Sequence, residues 1–188
     1  MDARQRQLLD AAITVLGTRG TRHLTHRAVD EAAALPTGST SNRYRTREAL
    51  LTGVLTRILE AETAGWNHLA ANLDPIDPDT FATTLGTLVH RLATTDRTLT
   101  LARLAIFAEA AHQPALRQHI AHGQRQLATW ATPLLAALGA RHPATAQRLL
   151  LALVDGLLNH QLANPDPAFE PTPAIAALLP AILAARPN

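Results

Sequence analysis

The sequence predicts an all-α protein of about nine helices, with a three-helix helix-turn-helix unit at the N-terminus and a larger helical region after it. Alanine and leucine, which favour helices, are abundant, whereas aromatic residues, which favour strands, make up only 3% of the chain. Apolar residues recur at intervals of three and four along most segments, which is the spacing of one helix face. We expect a domain of residues 1–52 and a second domain of residues 53–188.

The first element is a helix from about Ala3 to Thr18. Its apolar stripe consists of Leu9, Ala12, Ile13 and Leu16. Gly17 and Gly20 bracket its end, as residues that stop helices commonly do. We expect this helix to pack across the two short helices that follow and to fix the angle between them.

The stretch from Leu24 to Leu51 reads as a short helix, a tight turn, a second short helix and the start of a long one. The hydroxyl of Thr25 can cap the first of these, because it can accept from free backbone N–H groups. The apolar face of this helix is predicted to be Leu24, Ala28, Val29 and Ala32. The pattern breaks over residues 33–36, and Pro36 is expected in the first turn of the next helix.

The second short helix, within Thr37–Arg43, contains almost only small and polar residues. The apolar surface of this helix is too small to hold it in place by burial. Contacts with neighbouring elements must therefore fix it and leave its polar side exposed. Hydroxyls, an amide and an arginine are suited to phosphate and base-edge contacts. About eight helical residues span roughly 12 Å, which is comparable to the ~12 Å width of a B-DNA major groove.

Residues 4–58 resemble the N-terminal DNA-binding domain of the tetracycline-repressor (TetR) family of transcriptional regulators. The residues that carry the resemblance are Ala11-Ala12, Gly20, Thr25, Ala33-Ala34, Gly38-Ser39, Tyr44 and Thr46-Arg47-Glu48-Ala49-Leu50. Three positions differ from the family pattern. Ala34 stands where glycine is usual, which raises the question of whether the turn needs a positive φ. Ser41 replaces a tyrosine that lies along the phosphates, and Arg43 replaces an aromatic residue or histidine.

The resemblance implies a DNA-binding regulator, which we expect to be a repressor released from a palindromic operator by a small molecule. The predicted DNA-binding residues are Thr25, His26, Arg27, Thr37, Gly38, Ser39, Ser41, Asn42, Arg43, Tyr44 and Arg47. Arg43 is expected to make a bidentate contact with guanine, and Arg47, at a helix N-terminus, to hold a phosphate. Tyr44 is expected above all to pack in the small core beside the recognition helix.

Charge is distributed in agreement with a polyanionic partner. Residues 1–51 contain eight arginines and five acids, whereas the remainder contains nine arginines and ten acids; there is no lysine. A positive end suits nucleic acid. Ordinary solvated arginines would give the same count, so charge alone does not decide between the two interpretations.

The remaining helices follow from caps, apolar stripes and breaks. Thr46 can cap a long fourth helix that runs to about Asn72, and residues 74–79 are a clear break. Later helices are predicted at about 79–93, 96–112, 114–138, 143–163 and 173–186. Pro133 is expected to kink one of them, and Pro180 to interrupt the last.

The last two helices, about Ala144–Ala163 and Ala174–Ala185, are unusually apolar. Residues 149–154 are apolar on every side, so they must be buried on every side. A second subunit would provide this burial, and an interior helix of a monomer is the alternative. The resemblance implies that these helices form a four-helix homodimer interface, where Gly156 would permit close approach.

The middle helices, about residues 79–138, are then expected to surround a pocket for an unknown effector. Candidate ligand-binding residues are Trp66, Phe81, His90, Phe107, His112 and Trp130. His119 and His122 share a helix face, but without cysteine or a nearby carboxylate they do not indicate a metal site. We expect no cofactor.

Several classes of protein are disfavoured. The chain contains no cysteine, shows no signal peptide, and has no apolar run near the ~18 residues of a membrane span, so we expect a cytoplasmic protein without membrane contact. No catalytic motif is present, and Asp77 and Asp79 lie among prolines in a loop, so we expect no enzyme. Two alternatives stay open: a helical module of this fold that does not read DNA, and an all-helical enzyme.

Overall fold

The structure is a computed structural model that describes residues 1–71 and 76–187. Within these ranges it contains nine α-helices, one 3-10 turn at Thr21–His23 and no strand. The helices are α1 Ala3–Arg19, α2 His26–Ala32, α3 Ser39–Arg43, α4 Arg47–Ala71, α5 Pro78–Ala93, α6 Arg97–Ala110, α7 Pro114–Ala137, α8 Pro143–Ala163 and α9 Thr172–Ala184. The all-α prediction is therefore confirmed. The expected end of the fourth helix at Asn72, and Asp74 and Pro75 of the expected break, lie outside the described residues.

The chain forms two compact units. The N-terminal unit comprises Met1–Glu62 and Asp96–Gly123, and the C-terminal unit comprises Thr63–Thr95 and Gln124–Asn188. Helices α4 and α7 each continue through both units, and α6 belongs entirely to the N-terminal unit. The functional boundary at residues 52 and 53 stays a prediction.

The core of the N-terminal unit is built on α1. This helix packs along α6 on one side and against α2 on another. The predicted stripe of α1 is confirmed, because all four of its residues are buried. Other fully buried side chains of this core are Leu24, Leu50, Leu51, Leu55, Ile58, Ile106 and Leu116. Burial of large aliphatic side chains at about 1.5–3 kcal/mol each is the main driving force for this packing.

Gly17 lies inside α1, because the helix continues to Arg19 and ends at Gly20, whose φ is 80°. Gly17 and Gly20 therefore lie on either side of the end of α1, as expected. A Cβ at Gly17 would clash with the backbone carbonyl of Thr98 in α6. Glycine at this position allows the two helices to come into direct backbone contact.

The turn between α2 and α3 differs from the prediction in three respects. Pro36 precedes α3, which begins only at Ser39 after Gly38, whose φ is 94°. Helix α3 thus has five residues, and it is shorter than the predicted eight because Gly38 and the turn before it take up the remaining positions. Ala32, which the spacing assigns to the buried face of α2, is exposed, and Asp30 is buried. Ala34 adopts a φ of 53°, so the turn does require the left-handed conformation that glycine usually supplies.

The C-terminal unit packs α5 against α8 and α9, and α8 against α9. Asp77 caps α5, its carboxylate accepting from the N–H groups of Asp79 and Thr80. The prolines within helices do not end them: α7 includes Pro133, and α9 includes Pro180 and is not interrupted there. A proline inside a helix removes one hydrogen bond, and burial of neighbouring residues such as Leu179 offsets that loss.

The close approach at Gly17 gives a direct test of the packing of α1 on α6. Gly17→Ala should lower the free energy of unfolding by about 1–3 kcal/mol, because the added methyl group meets backbone rather than a movable side chain. Gly65→Ala in α4 is the matched control, since nothing lies within 4 Å of a Cβ placed on that glycine. It should raise stability by about 0.5–1 kcal/mol. Urea unfolding measures both, and equal effects would contradict the backbone contact between α1 and α6.

Candidate functional site

The position of α3 depends on one buried carboxylate. Asp30 in α2 is only 2% exposed. Its Oδ2 accepts from the N–H of Gly38 at 2.8 Å, and its Oδ1 accepts from the N–H of Thr40 at 2.7 Å and from the Thr40 hydroxyl. Thr40 is the only residue of α3 that is itself buried. Three hydrogen bonds to one carboxylate therefore hold α3 in position, whereas a longer helix is held by burial of its apolar face.

The same hydrogen bonds keep Asp30 ionised. Burial alone would raise the pKa of this carboxyl, but the hydroxyl of Thr40, the two backbone N–H groups and the nearby His26 outweigh burial and lower its pKa. A negative charge at this point also faces the N-terminal end of α3, where the backbone dipoles favour it. Asp30 is absent from the predicted functional residues, because an acid in an amphipathic helix is normally exposed.

The outer side of α3 and of the turn before it is free. Four exposed residues contribute to it: Thr37, Ser41, Asn42 and Arg43. The Ser41 hydroxyl donates to the Gly38 carbonyl at 3.1 Å, which leaves its oxygen able to accept. The Asn42 carboxamide forms no hydrogen bond within the described part of the chain. Ser39 is half-buried, donates to Pro36 O at 2.6 Å and accepts from Arg4 at 3.3 Å.

Arg43 is held from one side by the first turn of α1. Its Nη2 donates to Asp2 Oδ2 and to Gln5 Oε1, both at 2.8 Å. Its Nε and Nη1 form no hydrogen bond with other described residues, and the side chain is 49% exposed. The backbone N–H of Gln5, above all, and the Arg43 charge lower the pKa of Asp2, which burial opposes. One end of the guanidinium is thus fixed and the other is available.

Tyr44 packs inside the N-terminal unit, whereas Arg47 lies on its surface. Tyr44 is buried and its hydroxyl accepts from Gln5 at 3.0 Å, while a Cβ at Gly53 would lie 2.7 Å from the tyrosine ring. Arg47 donates from Nη1 to Leu24 O and from Nη2 to Thr21 O, both at 2.7 Å. Each terminal nitrogen donates one hydrogen bond to a backbone carbonyl and has a second N–H, so the role of Arg47 as a phosphate clamp stays a prediction.

The start of α2 carries the other predicted phosphate-contacting residues. The Thr25 hydroxyl accepts from the N–H of Ala28 at 3.1 Å, which confirms the predicted cap. The Nε2 atom of His26 is buried and has no partner among the described residues. Arg27 pairs with Glu31 at 2.9 Å, and both side chains are largely exposed. Water screens such a pair strongly, so Arg27 can exchange it for another anion at little cost.

The predicted ligand-binding residues are divided between the two units. Trp66, Phe81 and Trp130 line one cavity in the C-terminal unit. His90 belongs to the same unit but is exposed, edge-on to Phe169 with ring centroids 6.3 Å apart. Phe107 and His112 belong to the N-terminal unit, in which α6 packs on α1, and their role in ligand binding stays a prediction. The Phe107 ring lies there 4.3 Å from the Arg103 guanidinium carbon.

The cavity itself is small and apolar. The rings of Trp66 and Trp130 have centroids 5.7 Å apart and planes inclined by 43°. Several leucines, Ala131 and Val154 complete the lining, and Gln147 is the polar residue among the lining residues that the structure describes. Its free volume is ≈ 30 Å³, enough for little more than water. A larger ligand would have to part the two indole rings.

In residues 1–71 and 76–187, no three side chains of histidine, cysteine, aspartate or glutamate are grouped so that they could bind a metal ion. Over the same ranges, every helix falls short of the length and apolar character that crossing a bilayer requires.

Comparison with known proteins identifies similar chains. Residues 77–185 match the family described as tetracyclin repressor-like, C-terminal domain. SCO1917, a member of the TetR family from Streptomyces coelicolor A3, is 26% identical with a TM-score of 0.75, over 98% of this chain and 100% of its own. The multidrug binding protein EbrR, in complex with ethidium, is 26% identical with a TM-score of 0.73, over 96% of this chain and 98% of its own.

A transcriptional regulator from Rhodococcus sp. Rha1 (RHA1_ro04179) has the same fold at 21% identity, with a TM-score of 0.69 over 97% of this chain and 94% of its own. No curated protein matches the chain significantly.

The role of Asp30 is testable by Asp30→Asn, which keeps the size of the side chain but removes its charge and one acceptor oxygen. Unfolding free energy at pH 7 should fall by about 3 kcal/mol, because hydrogen bonds to a charged group are lost. Since the folded pKa of Asp30 is lowered, its contribution is present above the ordinary pKa of 3.8 and is lost as pH falls through the folded pKa. The wild type and the variant should therefore converge in acid.

Urea unfolding between pH 7 and pH 3 measures this difference. Glu31→Gln, at the next position of α2, is the control and should change stability little at any pH, because the ion pair of Glu31 with Arg27 is exposed. A constant gap between wild type and Asp30→Asn over the whole pH range would contradict the assignment.

Proposed function

The chain belongs to the TetR family of transcriptional regulators, and on this premise we propose that it is a homodimer that binds a DNA operator through α3 and releases it when a small molecule occupies the C-terminal unit. The observation that carries the proposal is the arrangement of α3. A helix of five small and polar residues is fixed from below by Asp30 and exposes its outer side chains. Proteins rarely maintain such an element without a partner for its polar side.

The geometry supports two kinds of contact with DNA, to base edges from α3 and the turn before it and to phosphates from the start of α2. Five residues at about 1.5 Å each give a rod of roughly 7.5 Å, which fits within a major groove about 12 Å wide. Thr37, Ser39 and Asn42 would contact base edges, and Arg43 would present its two unbonded nitrogens to guanine. At the start of α2, Thr25, His26 and Arg27 would contact phosphates and fix the orientation of the protein.

Exposed leucines support a dimer formed by the last two helices. Among the large apolar side chains exposed in the described residues, Leu149 of α8 is 43% exposed and Leu178 of α9 is 46% exposed. Nothing lies within 4 Å of a Cβ built on Gly156, so α8 is open to a neighbour there. A two-fold dimer would bury these residues and would place two copies of α3 on two half-sites.

Release by an effector would use the tryptophan cavity. EbrR binds ethidium, and this chain has a cavity lined by two indole rings in its own C-terminal unit. Trp66 lies on α4, the helix that begins just after α3, and Trp130 lies on α7. A ligand that parts these rings therefore acts on α4 directly. It shifts the equilibrium only as far as it binds one conformation better than the other.

The proposal is tested by selecting bound sequences from a random pool of duplex DNA with the full-length protein. We expect an inverted repeat, because a two-fold dimer reads the same half-site twice, with half-site centres ~34–36 Å apart or a spacing set by the dimer. Binding should weaken steeply with salt. If no sequence is enriched even at low salt, the chain is a module of this fold that does not read DNA.

Arg43 and its support from α1 can be tested on the selected operator. Arg43→Ala should remove about 1–3 kcal/mol of discrimination at one base pair of each half-site. Asp2→Asn should reduce discrimination at the same base pair, because one carboxamide oxygen cannot both cap α1 and hold Arg43 in place. Affinity for unrelated DNA should not fall, since a negative charge near the phosphates is removed.

Asp10→Asn provides the matched control, because it makes the same charge change on α1 where the carboxylate pairs with Arg57 instead. Titrations on matched and mismatched operators measure all three variants. Identical profiles for Asp2→Asn and Asp10→Asn would show that Asp2 does not position Arg43.

A further inference from the structure

One ring nitrogen of the N-terminal unit is buried without a partner. His26 is the first residue of α2, and its ring is half-buried. Its Nε2 atom is enclosed and forms no hydrogen bond with any residue that the structure describes. A polar atom taken out of water in this way costs free energy until it finds a partner. The other ring nitrogen, Nδ1, is not enclosed, so the ring connects the interior of the unit with its surface.

The Asp30 carboxylate can accept one more hydrogen bond than it does. A carboxylate offers about four acceptor positions. Oδ1 of Asp30 accepts two hydrogen bonds, both from Thr40, and Oδ2 accepts one, from the N–H of Gly38. Residues four apart share one face of a helix, so His26 and Asp30 are neighbours along α2. A donor at His26 Nε2 would therefore complete the hydrogen bonding of Asp30 Oδ2.

The carboxylate also responds to the charge of the ring. Burial raises the pKa of Asp30, whereas the hydroxyl and N–H of Thr40, the N–H of Gly38 and the charge of His26 lower it. The charged ring is thus near enough to stabilise the carboxylate, in addition to having an unpaired nitrogen on the inner side.

Asp30 is the one buried charged side chain on α2 and on the helices that pack against it, α1 and α3. The other charged side chains of these three helices are exposed: Arg4, Arg6, Asp10, Arg19, Arg27, Glu31 and Arg43. Most of them form ion pairs with each other or with neighbouring elements. The imidazole of His23 is exposed as well, and its Nδ1 donates to Arg19 O at 2.7 Å.

The protonation of an imidazole determines how many hydrogen bonds it can donate. The neutral ring has one N–H group, whereas the imidazolium has two. Histidine is the side chain that ordinarily changes charge between pH 5 and pH 8. A neutral ring at position 26 can donate outward from Nδ1 or inward from Nε2, and only the charged ring donates in both directions. A phosphate outside and the Asp30 carboxylate inside together favour the charged ring.

We infer that His26 takes up a proton from the solvent when the protein binds its operator, and then donates from Nδ1 to a DNA phosphate and from Nε2 to Asp30 Oδ2. This inference rests on the proposed function, because it takes the start of α2 to contact phosphates. The added hydrogen bond strengthens the hold of Asp30 on α3 when α3 contacts the bases. Because the complex binds more protons than the separate molecules, operator affinity rises as pH falls from 8 to 6.

Calorimetric titration of the protein with its selected operator tests the inference. At pH 7.5, binding heats in buffers of different ionisation enthalpy give the number of protons taken up, which should be about half to one per subunit. Affinity at constant salt should rise at least about tenfold between pH 8 and pH 6. Operator binding without proton uptake would overturn the inference.

Two glutamine variants identify the group that takes up the proton. His26→Gln can still donate hydrogen bonds but cannot become charged, so it should lose most of the proton uptake and most of the rise in affinity toward acid. His23→Gln is the matched control and should behave like the wild type, because the His23 ring contacts a backbone carbonyl and not a carboxylate. Unchanged uptake in His26→Gln, or its loss in His23→Gln, would show that another group titrates.

The contact with Asp30 has a readout of its own. Nitrogen NMR spectra of protein with isotope-labelled histidine distinguish the neutral ring, whose two nitrogens differ, from the imidazolium, whose nitrogens are alike. In the operator complex at pH 7.5 and low salt, His26 should be charged in the wild type and neutral in Asp30→Asn. A charged ring in Asp30→Asn would reject the contact with Asp30. A neutral ring in the wild-type complex overturns the inference whether or not the variant binds DNA.

These measurements separate the inference from the proposed function. The selection from random DNA tests operator recognition, and calorimetry and NMR on the selected operator test the proton. An operator that is bound with no proton taken up would reject the role of His26 and leave the proposed function intact. A chain that enriches no sequence would reject the proposed function itself.

Discussion

The hydrogen bonds of the Asp30 carboxylate are the interaction on which the position of α3 and its proposed contacts with DNA depend. A five-residue helix with a single buried side chain has no apolar face to hold it, and an isolated helix of this length does not form in water. Three hydrogen bonds to one buried anion replace that face and leave the opposite side of α3 free. The positions of Asn42 and Arg43 follow from this anchor, as does the proposal that they contact bases.

Interactions that hold the frame and interactions that can be exchanged are separated by burial. The hydrogen bonds of the buried Asp30 join α2 to α3 and would be costly to break. The ion pair of Arg27 with Glu31 lies in water, where screening makes it cheap to replace by a phosphate contact. The N-terminal unit thus keeps its shape while Arg27 can change partners.

Local signals are sufficient to predict much of the fold from the sequence. The caps at Thr25 and Thr46 and the apolar stripe of α1 depend only on neighbouring residues, and the structure confirms them. The contacts that sequence reasoning misses join residues far apart in the chain, such as Asp2 with Arg43. The spacing of apolar residues shows which face of a helix is buried but not which helix covers it, so it does not reveal that α6 packs on α1. The roles of the site residues stay predictions.

The packing of α6 on α1 limits how this chain can be divided. Residues 1–62 do not contain their whole hydrophobic core, since Ala102 and Ile106 complete it from a segment that follows the intervening part of the C-terminal unit. A chimaera that joined only residues 1–62 to the C-terminal unit of another protein would lack the core residues that α6 supplies. Exchange of residues 1–62 between relatives would therefore succeed only when the matching α6 is transferred with them.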